Sequence, residues 1–152
     1  KRHESILALS REHHFGLLFC WKLRQGIKKQ VPAERMRPYV KYFWHHHLRE
    51  HFAEEETLLF SLLHDNLTEQ AMLEHKHLKQ LAEDIIQAAA VTPDDLNTLA
   101  NKLDDHIRFE ERKLFPHMEE KLPEEEFTEL GLRLQRLHAT PEKDDYADEF
   151  WT

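Results

Sequence analysis

Two ten-residue segments of the chain repeat one another. His51-Phe52-Ala53-Glu54-Glu55-Glu56-Thr57-Leu58-Leu59-Phe60 and His106-Ile107-Arg108-Phe109-Glu110-Glu111-Arg112-Lys113-Leu114-Phe115 both read H-x-x-x-E-E-x-x-L-F. On an α-helix, residues four apart are turned by only about 40° and stand one turn apart, so an imidazole and a carboxylate at that spacing converge on one point. His51 with Glu55, and His106 with Glu110, each form a pair able to grip a metal ion. His51 and Glu55 fall midway along the apolar face of Val40, Phe43, Leu58 and Leu62, while Glu110 shares the face of Leu99, Leu103 and Leu114, with His106 at its border. An ionised carboxylate on a core face costs on the order of several kcal/mol unless it protonates, pairs or binds a metal. Too few basic residues share these faces to pair both. A solvated surface would explain one such motif, not two matching copies on core faces.

The chain has 13 histidines, more than a solvated surface requires. In Glu74-His75-Lys76-His77-Leu78, His75 lies beside Met72, Leu78 and Ala82, whereas His77 points away from that stripe. In Glu12-His13-His14-Phe15-Gly16-Leu17, His13 lies mid-stripe, but His14 has the H-x-x-L spacing that His75 shows with Leu78. The two cues conflict, and the shared spacing tips the balance slightly to His14. One histidine from each of four helices, with Glu55 and Glu110, makes a site at the centre of a bundle. Mixed imidazole and carboxylate ligands suit iron, manganese or zinc. Two carboxylates able to bridge suit two adjacent metals better than a lone zinc, which needs only four ligands. His47-Leu48-Arg49-Glu50-His51 also fits the H-x-x-E-H zinc-peptidase signature, but a small helical chain in which His51 has a competing role does not support it. Ferritin-like di-iron proteins use Glu-x-x-His twice, and here only Glu74-x-x-His77 occurs. His47, one turn before His51, reads as a residue beside the metals and not on them.

The elements that must position these residues are helices almost throughout. Apolar positions Ile6, Leu9, Leu17, Cys20, Leu23 and Ile27 mark a first helix over 4–30, and a second covers 38–64 with Pro38 in its first turn. Thr68 reads as the N-cap of a third helix reaching Val91. Thr92-Pro93-Asp94-Asp95 is a strong start for a fourth, which runs to about Lys121 with Pro116 bending or shortening it. Glu124–His138 forms a shorter fifth, and beyond Pro141 the acidic tail is loosely specified, with Phe150 and Trp151 free to dock. The expected fold is all-α, an up-and-down four-helix bundle with a short C-terminal fifth helix. It is read as a single domain over 1–152, with its core at about 5–120, an extra helix at 121–140 and a tail at 141–152.

Composition agrees with that reading. Of 152 residues, 40% are apolar and 33% charged, and glycine is scarce at 3, which disfavours a protein of many tight β-turns. Cys20 is the only cysteine, so neither an internal disulfide nor a cysteine zinc site can form, and it reads as a small buried hydrophobe. No apolar run approaches the roughly 18 residues of a membrane span, and the start carries no clean signal-peptide core. A cytoplasmic location without membrane association is the expectation. The net charge of −8 is uneven: residues 1–50 hold eleven Lys/Arg against four Glu, a balance of +7, so the remainder carries −15. No nucleic-acid motif accompanies the basic third.

The sequence resembles hemerythrin-like (HHE cation-binding) domains. Ser10-Arg11-Glu12-His13-His14, His51-Phe52-x-x-Glu55-Glu56, Glu74-His75 and His106-x-x-x-Glu110-Glu111…Leu114-Phe115-Pro116 carry the likeness, in order, over about residues 5–120. The resemblance implies a four-helix bundle holding two non-haem irons, carboxylate- or oxo-bridged, with zinc as a substitute. It also implies O2 or NO as a small ligand in a binding or sensing role. Iron-centre repair or iron donation, with a protein partner for signalling or iron transfer, and a small di-iron oxidase or peroxidase are the alternatives; a non-enzymatic role is preferred. Oxygen-carrying members place a second histidine four residues after the one on helix three, where this chain has Lys79. They also have an aspartate five residues after the last histidine, where this chain has Glu111 in addition to Glu110. The set His13 or His14, His51, His75, His106, Glu55 and Glu110 is thus similar to the four-histidine, two-glutamate version of the repair branch.

Overall fold

The chain is described here by a computed structural model covering residues 2–138 and 143–152. A 3-10 turn at Glu4–Ile6, capped by the His3 ring accepting from the Ser5 N–H, leads into α1, Leu7–Lys28. The helix closes with Gln30 N–H on the Ile27 carbonyl and Val31 N–H on the Gly26 carbonyl. Gln30 takes the left-handed conformation, φ 61°, that this closure demands. Helix α2 (33–62) starts directly after Pro32, earlier than the expected 38, so Pro38 lies inside it. Burial of Ala33, Met36, Tyr39 and Val40 holds this opening segment and offsets the backbone bond that Pro38 cannot make.

Two of the long helices are locally widened. Helix α2 passes from α (Ala33–Phe43) to π (Trp44–Leu48), back to α (Arg49–Glu54), then to π (Glu55–Leu59) and a last 3-10 turn (Phe60–Leu62). Helix α3, Asn66–Gln87, is capped by Asp65, which accepts from the Leu67 and Thr68 N–H groups; the Thr68 hydroxyl accepts in return from Asp65 N–H. Thr68 is thus the partner in the capping box and not the cap, and the helix stops short of Val91. Helix α4 (93–121) starts as expected on Thr92 and Pro93, with Asp95 completing a capping box. It runs Pro93–Phe109, then π over Glu110–Leu114, then Phe115–Lys121. Pro116 does not end it, because it falls in the first turn after the π segment, where a missing N–H costs least. Helix α5 spans Glu124–Leu137 and packs on the opening 3-10 turn.

Helix α1 packs on α2 and α4, and α3 packs on the same two, so the four close a ring. Apolar side chains form two cores. One gathers Phe19, Leu23, Val40, Phe43, Phe52, Leu78, Leu99 and Leu103; the other gathers Ile6 and Leu9 from the start of α1, Leu59 and Phe60 from the end of α2, Ala71 from the start of α3 and Leu114 from the end of α4. Starts of odd helices meeting ends of even ones is the antiparallel, up-and-down order. Between the two cores each helix carries a layer of histidine and glutamate. Cys20 lies in the first core, its thiol donating to the Ala100 carbonyl, and burial pushes its pKa up to about 12.

The acidic tail is not loose over its described part. Phe150 is buried against Tyr39, Lys22 Nζ lies 3.9 Å from the Trp151 ring centre and 2.8 Å from Asp144 Oδ2, and Arg35 pairs with Asp148. Two cations of the basic first third, Lys22 and Arg35, are thus paired with acids of the tail. Residues 139–142, including the expected break at Pro141, lie outside the described residues. Gly26 makes room for this docking: a Cβ there would meet Met36 Sδ at 2.3 Å and Phe150 at 3.0 Å. Phe150→Ala is expected to cost about 3–5 kcal/mol, read as a lowered denaturation midpoint. Trp21, by contrast, is 49% exposed on the outside of α1, whereas Trp44 is buried in the core.

Candidate metal centre

Glu55 and Glu110 face each other at the middle of the bundle, both 0% exposed. Four imidazoles close around them through their Nε2 atoms. His13 Nε2 lies 2.9 Å from Glu110 Oε1 and 3.6 Å from Glu55 Oε2; His51 Nε2 lies 3.3 Å from Glu55 Oε2. His75 Nε2 lies 3.0 Å from Glu55 Oε1, and His106 Nε2 lies 3.4 Å from Glu110 Oε2. These atoms sort into two groups, His13 with His51 and His75 with His106, each completed by both Glu55 and Glu110. Within a group the ligand atoms lie within 4.8 Å of one another, so either could hold a metal ion. Apart from the His13–Glu110 contact, the inward atoms are close without being satisfied. His51, His75 and His106 Nε2, both Glu55 oxygens and Glu110 Oε2 are buried with no hydrogen-bond partner among the described residues. Buried polar atoms normally have partners. A metal cation is a partner that this donor set fits.

The outward nitrogens are all satisfied, in one pattern. Each Nδ1 donates to a carboxylate on the neighbouring helix: His51 to Glu12 on α1 (2.9 Å), His75 to Glu56 on α2 (2.7 Å), His106 to Glu74 on α3 (2.6 Å) and His13 to Glu111 on α4 (2.7 Å). Such hydrogen bonds leave Nε2 as the coordinating atom and make the ring a better ligand. The family model of the hemerythrin HHE cation binding domain matches residues 3–118.

The chain belongs to that family. No curated protein and no solved structure matches it. Two of the π segments of this HHE domain, besides that at Trp44–Leu48, begin at Glu55 and at Glu110, so the repeated motif marks a repeated backbone widening as well as a repeated His/Glu pair; such bulges cluster at functional sites. Of the two candidates on helix one, the HHE domain turns His13 inward and leaves His14 exposed, which corrects the preference for His14. The reason is the phase of α1, set by close packing at Gly16, where a Cβ would stand 2.7 Å from Ile107 on α4. His47 is buried one turn from His51, packed on the Phe15 and Phe43 rings, and is in neither ligand group. Lys79 is exposed, and Glu111 holds the back of His13.

Electrostatics follow from the crowding of acids around the imidazoles. Burial alone would push His51 down, yet the charge of Glu55 and the hydrogen bond to Glu12 lift it to about 10. His13 and His75 are lifted well above the ordinary range, and His106 is raised, against the same burial penalty. Burial and the like charge of Glu110 push Glu55 up, but His51 and His13 outweigh them and hold it at about 2. Glu110 is likewise held well below its usual range by His106, His13 and His75, against burial. The imidazoles and carboxylates of the layer thus favour one another's charged forms.

Sequence reasoning missed the orienting role of Glu12, Glu56 and Glu74. The signal was available, since every one of the four outer acids sits immediately beside an inward ligand in the chain. Beside the layer lies a cavity of about 10 Å³, lined by Phe15, Phe43, Leu48, Phe52, Leu103 and Ile107, with Glu12, His13, His47, His51 and His106 also on its wall. It has space for one water-sized molecule.

Proposed function

We propose that the protein is a non-haem di-iron protein that takes O2 or NO as a small ligand, in a binding or sensing role. The observation that carries this is the pair of four-residue ligand groups sharing Glu55 and Glu110, beside a largely apolar cavity with space for one water-sized molecule. His13 and His51 would hold one ion, His75 and His106 the other, with Glu55 and Glu110 bridging. Two imidazoles and two shared carboxylates would leave room beside each ion for a further small ligand. Iron bound there would supply the electrons that a diatomic ligand draws on. The chain supplies the rest. Glu12, Glu56, Glu74 and Glu111 fix the imidazole tautomers, and the apolar cavity wall excludes bulk water and larger ligands. Zinc would fit the same donors and compete for them.

Metal analysis of protein reconstituted with ferrous iron under anaerobic conditions, followed by optical titration with O2 and NO, tests the reading. About two iron per chain and a new charge-transfer band on exposure are expected; trace iron only would overturn it. The absence of a fifth histidine also supports a second reading, iron-centre repair or iron donation, in which a centre held by four imidazoles gives up iron readily. Transfer of iron to an apo iron–sulfur enzyme would favour that reading, and sustained turnover with peroxide would favour an oxidase. His47→Ala is expected to leave iron stoichiometry intact and to speed ligand entry and escape, because it enlarges the cavity without touching a ligand. Flash photolysis of the NO adduct would measure this, and loss of half the iron would instead make His47 a ligand.

A further inference from the structure

A second group of metal-type side chains lies outside the buried centre. Glu12 on α1, Glu54 on α2 and His138 at the C-terminal end of α5 each present one ligand atom within 4.8 Å of the others. His138 Nε2 contacts Glu54 Oε1 directly and stands 3.8 Å from Glu12 Oε1. Two features separate this group from ordinary surface acids. The Glu54 side chain is only 8% exposed, and its Oε2 is buried with no hydrogen-bond partner among the described residues. No lysine or arginine among the described residues forms an ion pair with Glu12 or Glu54, so two sheltered carboxylates face imidazole rings alone. Sheltered negative charge of that kind calls for a compensating cation. The C-terminal end of α5 adds the negative pole of a 14-residue helix on the same side.

We propose that Glu12, Glu54 and His138 form an accessory site for a divalent cation at the outer edge of the His/Glu layer. One imidazole and two carboxylates suit Fe2+, Mn2+, Co2+ or Zn2+, and three protein ligands leave further positions to water, as an exchanging site requires. Glu12 ties the accessory site to the buried centre, because the Oε1 that accepts from His51 Nδ1 at 2.9 Å is also the one nearest His138. An ion held there stands one side chain away from His51. The inference does not rest on which metal the buried centre takes.

The test uses the full chain with its buried centre first saturated with Zn2+ and the exchangeable Zn2+ stripped with a mild chelator until only the buried ions remain, then titrated with Co2+ by calorimetry and by visible absorption. Wild type is expected to bind one further Co2+ per chain. His138→Ala and the near-isosteric Glu54→Gln are each expected to weaken that step at least about tenfold, with the Zn2+ content unchanged. If wild type takes up no further ion, or both variants bind it as wild type does, the proposal is overturned. A fall in melting temperature for His138→Ala with Co2+ uptake unchanged would also overturn it, reducing the group to an ion pair that pins α5.

Discussion

Alanine at Glu55 is expected to empty both cation positions, whereas alanine at His106 is expected to empty no more than one. Glu55 belongs to both ligand groups and His106 to one, so the two losses differ in kind as well as size. Glu55→Ala also leaves the lifted imidazole of His51 without its inner carboxylate and that of His75 with Glu110 alone, at 3.7 Å. Removing one partner of a buried charge pair typically costs about 3–5 kcal/mol, so the metal-free variant is expected to be markedly less stable than the metal-free parent. Metal content after reconstitution, with circular dichroism to establish that the helices persist, measures both effects. One firmly held ion in Glu55→Ala would show that the carboxylate does not bridge.

The second large effect is in protons. At pH 7.5 His51, lifted to about 10 against burial by Glu55 and Glu12, carries a proton in the metal-free layer, and neighbouring acids shift His13, His75 and His106 in the same direction. Coordination requires each Nε2 to be free, so metal binding is expected to release at least about one proton per chain. Calorimetry in two buffers of different ionisation enthalpy would count the protons, and affinity is expected to climb steeply with pH. Stability of the metal-free form moves the other way. The raised His51 contributes stability that is complete below its ordinary 6.5 and is lost as pH rises through about 10. The depressed Glu55 contributes stability that is complete above its ordinary 4.5 and is lost as pH falls through about 2. For these groups the metal-free optimum therefore lies between about 4.5 and 6.5, while the loaded protein gains towards neutral and alkaline pH. Chelation at pH 8 is expected to lower the melting temperature sharply, and identical pH–stability profiles with and without metal would contradict the coupling.

How much of this was legible in the sequence depended on range. The i,i+4 pairs His51/Glu55 and His106/Glu110 were readable because a single helix turn brings them together. The choice between His13 and His14 was not, because the phase of α1 is set by Gly16 meeting Ile107 on another helix. Uniform 3.6-residue spacing also misplaced the lower part of α2. The π segment Glu55–Leu59 adds to the turn, so Leu59 is fully buried at 0% exposure where Leu58 was expected to face the core. The docking of the tail rests on pairs more than a hundred residues apart, such as Lys22–Asp144. No local pattern announces them.

The outer acids have a consequence for handedness. A four-helix bundle threaded up and down can turn left or right, and apolar faces alone discriminate weakly between the two. In α1 and α3 the orienting acid precedes the inward residue, as in Glu12-His13 and Glu74-His75. In α2 and α4, which run the opposite way, it follows, as in Glu55-Glu56 and Glu110-Glu111. A step of one residue turns a helix by about 100°, and reversing both the step and the direction of the helix preserves the sense of that rotation seen from one end. All four acids therefore reach round the ring in the same circular direction, each to the next helix. Exchanging α2 and α4, which carry the same motif, would leave each acid still facing an imidazole of the next helix. The circle of acids thus gives the layer one rotational sense about the bundle axis, whichever way the chain is threaded.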